Sequence, residues 1–357
     1  MAGAEPRLVV EGLEIGFGRL AAVRGIDFSL APGECLAIVG ESGSGKSVTA
    51  RALLGLVGAG SSVRAKRITL DGLDLTRRGR RGWRTVRGAR IGLVTQDALV
   101  ALDPARRVGA EIAEALRNHD VVPRNAVWQR VCSLLATVRM PEPEERARQY
   151  PHELSGGQRQ RALIASAIAA GPGVLVADEP TTALDVAAQA KILDLLAEQK
   201  AAGQAILLVS HDLSVVARLA DRIAVMFAGR IVEEGPAESL LRQPVHPYTR
   251  ALLAAVPMAH ARGTRLAAPG SGRPAQPGAA CAYAARCPLA TDRCQVEVPV
   301  PVGTEHRAWC WHTDLPWPGG SRESPVPARE FPVQARESPG QVPILEGSAV
   351  SKRFDTR

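Results

Sequence analysis

The sequence predicts an α/β fold, a parallel sheet covered by helices on both faces, with an antiparallel edge and a helical insertion. Three observations predict it. Short, predominantly apolar runs at residues 35–39, 91–95, 174–177 and 205–209 have the length of strands buried on both faces. Segments of helical period lie between them, and strand–helix alternation is what a parallel sheet needs. The first run also ends in Gly40-Glu41-Ser42-Gly43-Ser44-Gly45-Lys46-Ser47, which fits G-x-x-x-x-G-K-[ST] at every fixed position. Its glycines let the chain turn tightly enough for successive amides to face an anion.

In chain order, residues 8–15 alternate as a strand, and 26–30 suggest a second before the turn Ala31-Pro32-Gly33-Glu34. The strand at 35–39 enters the phosphate loop, and a helix over 47–54 leaves it. That context makes the loop a nucleotide phosphate site, with Lys46 reaching the β- and γ-phosphates and Ser47 binding Mg²⁺. A strand at 67–70 and the turn Asp71-Gly72 follow. The basic segment 77–90, which carries Trp83, reads as a solvated connector, and the strand at 91–95 ends at Gln96. From 108 to 148 the period is helical. Ile112 and Leu116, then Val127, Val131, Leu134 and Leu135, mark two amphipathic helices bounded by Pro123 and Pro141. We place this insertion at about 97–156. A helix over 157–170, the strand 174–177, a helix over 186–201, the strand 205–209 and two short helices up to 256 complete the reading.

Composition narrows the class. The chain has 357 residues, a formal charge of +8, and Lys46, Lys66, Lys191, Lys200 and Lys352 as its only lysines. Arginine supplies the positive balance together with much alanine, so it reads as compositional bias and not as a nucleic-acid signature; it equally suits a protein held near an anionic membrane face. The N-terminus shows no secretory signal, and no run of about 18 apolar residues spans a bilayer. The expected location is cytosolic unless partners bring the chain to a membrane. Six cysteines there argue against disulfides. Cys35 and Cys132 read as core residues, leaving Cys281, Cys287, Cys294 and Cys310 in a proline- and glycine-rich region.

Asp178 and Glu179 end the apolar strand at 174–177. Asp178 suits Mg²⁺, and Glu179 can polarise a water for in-line attack on a γ-phosphate. An exposed strand end can carry acids for no catalytic reason; the phosphate loop upstream favours the functional reading. Leu154-Ser155-Gly156-Gly157-Gln158 opens a helix and offers a second anion-binding surface. One nucleotide needs one phosphate loop, so this surface fits a nucleotide held by another subunit.

Leu154 to Gln158 as written resembles the signature of the ATP-binding-cassette (ABC) ATPases, and the match runs in order to about residue 235. The resemblance implies ATP and Mg²⁺ as ligands, with the ATP cradle running from Gly40 into Val48. It makes Gln96 the Q-loop residue on metal and water, Asp185 in Ala183-Leu184-Asp185 the D-loop, and His211 a switch on the γ-phosphate, where an isolated histidine would otherwise read as a capping residue. Phe17 is the looser match for the aromatic under adenine. Mg²⁺ would thus be held by Ser47, Gln96 and Asp178.

The C-terminal region narrows the family. His246-Pro247-Tyr248 resembles the motif of ATP-binding subunits from oligopeptide and dipeptide importers, as does Tyr150-Pro151-His152-Glu153. The four cysteines follow at C-x5-C-x6-C-x15-C. Four thiolates suit zinc or an iron–sulfur cluster, zinc sites usually show closer pairs, and free structural thiols also fit; the resemblance implies a [4Fe–4S] cluster. His306 and His312 flank Cys310 and read as surface residues. The resulting division is a cassette at 5–255, a cysteine-bearing appendage at 256–316, a flexible linker at 317–342, and a stretch at 343–357 that resembles residues 8–17. That last stretch fits either the first strand of a second cassette or coincidence. The implied function is to power uptake of short peptides, or nickel chelates, from the cytoplasmic face of the cell membrane. The implied partners are a second ABC ATPase, two transmembrane permease subunits and an extracytoplasmic solute-binding protein, with no nucleic acid. The alternative is a soluble tandem ABC ATPase acting on ribosomes or DNA.

Overall fold

The structure is a computed structural model that describes residues 5–255 and 280–315. The chain begins with an antiparallel hairpin, β1 (Leu8–Phe17) and β2 (Leu20–Leu30), with Leu8 opposite Leu30 and Phe17 opposite Leu20. Alternation buries Leu8, Val10, Leu13 and Ile15. β2 starts earlier than the expected residue 26, because residues 20–24 complete the pairing with β1 although their own alternation is weak. β3 (Cys35–Val39) is buried at every position and delivers the phosphate loop to α1 (Lys46–Ala52). β4 (Ser61–Arg64), β5 (Arg67–Leu70) and β6 (Leu73–Asp74) then complete a five-stranded antiparallel sheet ordered β2-β1-β5-β6, with β4 also on β1.

The basic segment that follows is not simply a solvated connector. It forms α2 (Arg80–Arg84), and Trp83 packs against a core cluster containing Leu53, Leu54 and Val86. Arg87 donates to the carbonyl oxygens of Leu54 (2.7 Å) and Gly55 (2.9 Å). The charges stay in water while the ring and the Val86 side chain cover the end of the first helix.

β7 (Ile91–Val94) leads into the helical insertion: α3 (Ala98–Ala101), α4 (Val108–Asn118), α5 (Val127–Thr137) and α6 (Pro143–Arg148). Its apolar positions, Ile112, Leu116, Val131 and Leu135 among them, are fully buried. Cys132 lies off that face and is only half-buried, unlike Cys35, whose thiol burial pushes far up. The expected core role therefore holds for Cys35 and not for Cys132. α7 (Gly156–Ile168), β8 (Val174–Asp178), α8 (Val186–Ala201), β9 (Ala205–Val209), α9 (Leu213–Leu219), β10 (Arg222–Phe227) and β11 (Arg230–Pro236) follow, then α10 (Ala237–Arg242) and α11 (Pro247–Ala254).

The main sheet runs β12-β13-β11-β10-β3-β9-β8-β7, where β12 is Pro301–Val302 and β13 is Arg307–Trp309; α12 (Asp292–Val296) precedes them. β10, β3, β9, β8 and β7 are parallel, so their carboxyl ends share one edge. Ligands of open parallel sheets bind along that edge.

The cysteine-bearing region adds β12 and β13 to the edge of this sheet. β13 pairs antiparallel with β11, and Tyr283 lies in the same buried cluster as Tyr248 and Phe227. Two buried carboxylates on β11 hold the join. Glu233 accepts from the amides of Val245 (2.7 Å) and His246 (2.9 Å) and lies 2.6 Å from His306 Nε2, and Glu234 pairs with Arg222 and with Arg307. His306 is thus an inward-facing partner of a buried charge and not a surface residue. The 317–342 and 343–357 stretches lie outside the described residues. Among the described residues, no helix is long and apolar enough to cross a membrane.

Candidate active site

The carboxyl edge of the parallel strands brings distant parts of the sequence together. A cavity of about 780 Å³ is lined there by Phe17, the phosphate loop, Val48, Gln96, Glu179 and His211. The loop owes its course to glycines, and α1 begins directly from Gly45, whose φ of +105° suits a residue without a side chain. Lys46 is nearly buried, and its Nζ donates to the carbonyl oxygens of Gly40 and Glu41, both at 2.8 Å. Burial lowers its pKa, against the pull of Glu179, Asp178 and Glu41. The ammonium is therefore held inside the loop that it closes.

Ser47 Oγ donates to Asp178 Oδ1 at 2.8 Å, joining loop and β8. Asp178 is buried, and that burial raises its pKa, opposed by the Ser47 hydrogen bond and by Arg51. A divalent cation at this spot would favour the carboxylate form. Glu179 follows with a φ of +51°, a left-handed conformation that costs a non-glycine residue about 1 kcal/mol or more. The conformation is fixed by its amide on Val209 O (2.8 Å), by Thr182 Oγ1 donating to Oε2 (3.0 Å), and by His211 Nδ1 at 2.9 Å from Oε1. Its carboxylate is thus aimed into the cavity beside His211. Gln96 sits exposed just past β7 on the same wall.

Leu154 to Gln158 does not line this cavity. Ser155 caps α7, accepting from the Gln158 amide (3.3 Å) while Gln158 Oε1 accepts from the Ser155 amide (2.9 Å). Ser155 to Gln158, with Asp185, face a different cavity of about 390 Å³, while Leu154 is buried in the core. Asp185 caps α8 through the Ala188 amide at 2.8 Å. The two sets of residues therefore line two different cavities of the chain.

Sequence reasoning missed several contributors. Arg51 and Leu252 line the nucleotide cavity. Tyr248 accepts a hydrogen bond from the Glu41 amide (2.8 Å), and Arg286 makes a two-pronged ion pair with the Glu41 carboxylate. The His-Pro-Tyr motif marked Tyr248 as special, but nothing local marks a partner 207 residues away.

The four C-terminal cysteines lie within electrostatic reach of one another. Burial pushes the Cys281, Cys287 and Cys310 thiols up, Cys287 to about 12 and Cys310 to about 11, while backbone amides at Tyr283, Ala284, Leu289 and His312 draw them down. His312 Nε2 is 3.5 Å from Cys294 Sγ and 3.2 Å from Thr291 Oγ1, so this half-buried ring lies beside the cysteines. Among the described residues, however, no three His, Cys, Asp or Glu side chains are arranged to hold a metal ion. The iron–sulfur centre expected from the resemblance is not present as a preformed ion site.

Residues 23–182 match the family described as ABC transporter, and residues 232–294 the one described as oligopeptide/dipeptide transporter, C-terminal region. The dipeptide transport ATP-binding protein DppD of Bacillus subtilis (strain 168) is 43% identical over 321 residues, 87% of this chain and 96% of that protein. The chain belongs to the dipeptide and oligopeptide ABC transporter ATP-binding subunits. The oligopeptide transport ATP-binding protein OppD of Mycobacterium tuberculosis (strain ATCC 25618 / H37Rv) is 44% identical over 321 residues, 87% of this chain but 52% of that protein. Among solved structures, the dimeric structure of MJ0796, a bacterial ABC transporter cassette, superposes with a TM-score of 0.57 at 25% identity, covering 64% of this chain and 98% of that one. The subunit is an ABC-type ATPase of mixed α/β fold, as the resemblance implied. The C-terminal match sets aside the alternative of a soluble ATPase working on ribosomes or DNA.

Proposed function

We propose that this subunit hydrolyses ATP to drive uptake of short peptides, working as one of two cassettes beneath two membrane permeases that an extracytoplasmic binding protein supplies. The observation that carries this reading is the division into two half-sites. Lys46, Ser47, Gln96, Glu179 and His211 share one cavity, while Ser155, Gly156, Gly157, Gln158 and Asp185 share another. A second cassette, facing this one, would bring its Leu154–Gln158 counterpart over this ATP. The dimeric state of the MJ0796 structure supports that arrangement. With no membrane-crossing helix among the described residues, the subunit would sit on the cytoplasmic face through its partners.

The roles follow from position. Lys46 and the loop amides bind the β- and γ-phosphates, and Phe17 on the cavity rim stacks on adenine. Ser47, Asp178 and Gln96 would hold Mg²⁺, which would supply positive charge against the phosphates and the buried carboxylate. Glu179 accepts a proton from the attacking water, and His211, 2.9 Å from its carboxylate, contacts the γ-phosphate. Reconstitution in vesicles with its permeases and binding protein should give ATP-dependent accumulation of short peptides. ATP turnover without any peptide accumulation would sink the transport reading.

We also propose that Cys281, Cys287, Cys294 and Cys310 hold a [4Fe–4S] cluster. Two buried thiols, Cys294 and Cys310, and two half-buried ones, Cys281 and Cys287, with Cys281, Cys287 and Cys310 accepting backbone N–H groups, support a thiolate-binding pocket. Each thiolate of such a cluster binds a different iron, so the sulfurs need not meet at one point, whereas zinc would need all four about 2.3 Å from a single centre. Protein purified without oxygen should contain iron and acid-labile sulfide in equal amounts; their absence removes the proposal.

A further inference from the structure

The phosphate loop is gripped from outside by the C-terminal region. Arg286 Nη2 donates to Glu41 Oε1 at 2.7 Å and Nη1 to Oε2 at 2.9 Å, across 245 residues of sequence. This is a fork-on-carboxylate pair with the arginine side chain 13% and the glutamate side chain 34% exposed, so the pair is partly shielded from solvent. The guanidinium is itself fixed, lying over the rings of Phe227 and Tyr283 at 5.3 and 5.9 Å. Beside it, the buried Tyr248 hydroxyl takes the Glu41 amide at 2.8 Å. Both the side chain and the backbone of Glu41 are thus anchored to groups that reach the loop from outside it.

Two consequences meet at the nucleotide. Glu41 supplies the carboxylate of the loop and lines the cavity, and an unpaired anion there repels a triphosphate. The Glu41 carbonyl is also one of the two oxygens that hold Lys46 Nζ, at 2.8 Å, so the position of Glu41 sets the position of the ammonium. We propose that Arg286 is a positioning residue for ATP binding: by neutralising and fixing Glu41, it holds the phosphate loop and Lys46 in their binding geometry. The cysteine-bearing region then serves as a strut for the nucleotide site. This rests on the reading of Gly40–Ser47 as the phosphate site.

The test uses the full chain, with Mg-ATP affinity read by equilibrium binding of a fluorescent ATP analogue and competition by ATP, and ATPase kinetics in the assembled transporter. Arg286→Ala should raise Kd and KM about tenfold with kcat changed less than about twofold, since a charged hydrogen-bonded pair is lost from binding and not from the chemical step. Arg286→Lys keeps the charge without the fork and should recover part of the loss, to about threefold. In a Glu41→Gln background there is no carboxylate to neutralise, and Arg286→Ala should shift Kd by less than about twofold. If Arg286→Ala misfolds, Arg286→Lys in the two backgrounds reads the same coupling. An equal shift with and without the Glu41 carboxylate would show that Arg286 only supports the C-terminal region, and would overturn the proposal, as would no shift at all. Wild-type chain that binds no ATP would instead overturn the phosphate-site reading, and this inference with it.

Discussion

Glu179→Gln should lower ATP turnover by about 10²–10⁴-fold while leaving Mg-ATP affinity within about threefold, because general-base assistance is lost and the phosphate contacts are not. The substitution isolates chemistry from structure unusually well. Glutamine is isosteric, can still accept from Thr182 Oγ1 and meet His211, and faces the same left-handed backbone requirement that Glu179 meets at φ +51°. What it cannot do is take a proton from water. Single-turnover hydrolysis with the transporter in excess, alongside nucleotide binding, separates the two effects. Turnover at the wild-type rate would show that another group, or no group, serves as base. A parallel loss of ATP affinity would show that Glu179 is needed to build the cavity and not only to act in it.

The parts of the site that were legible in the sequence share a physical cause. Asp178, Glu179, Gln96 and His211 each lie at the end of an apolar strand or within two residues of it, and a buried strand can be read locally because burial on both faces leaves a continuous apolar run. Parallel alignment then brings those strand ends together without any further information. The loop glycines were legible for the same reason: their constraint is in their own backbone. What escaped was set by tertiary contact. β11 carries Glu233 and Glu234 buried at its centre, and two adjacent acids are not a local strand signal; His306, Arg307 and Arg222, from distant segments, neutralise them. The attachment of the cysteine-bearing region to the main sheet followed from that same hidden strand. Trp83 looked exposed among arginines because the surface it covers, near Leu53 and Leu54, lies some thirty residues earlier. Tyr248 and Arg286 could not be connected to Glu41 by any periodicity or spacing.

Gly40→Ala should cost about 3 kcal/mol of stability and abolish measurable Mg-ATP binding, whereas Gly43→Ala in the same loop should cost about 1 kcal/mol and weaken binding only modestly. Both residues have positive φ, +149° and +80°, so both substitutions strain the backbone. They differ in what a β-carbon would meet. At Gly43 no heavy atom lies within 4 Å, but at Gly40 the new carbon would fall 2.1 Å from the carbonyl oxygen of Met226 on β10. That neighbour is backbone in the core of the sheet, where β10 pairs with β3, so it cannot swing aside as a side chain would. The loop must move instead. Because the Gly40 carbonyl is one of the two oxygens that hold Lys46 Nζ at 2.8 Å, any movement there displaces the ammonium from the phosphates it serves. Urea unfolding of the two variants and their affinities for a fluorescent ATP analogue measure the two effects separately. Equal losses at Gly40 and Gly43 would mean that backbone strain alone governs this loop. A much larger loss at Gly40 would mean that the close approach of loop and sheet is what sets the Lys46 position.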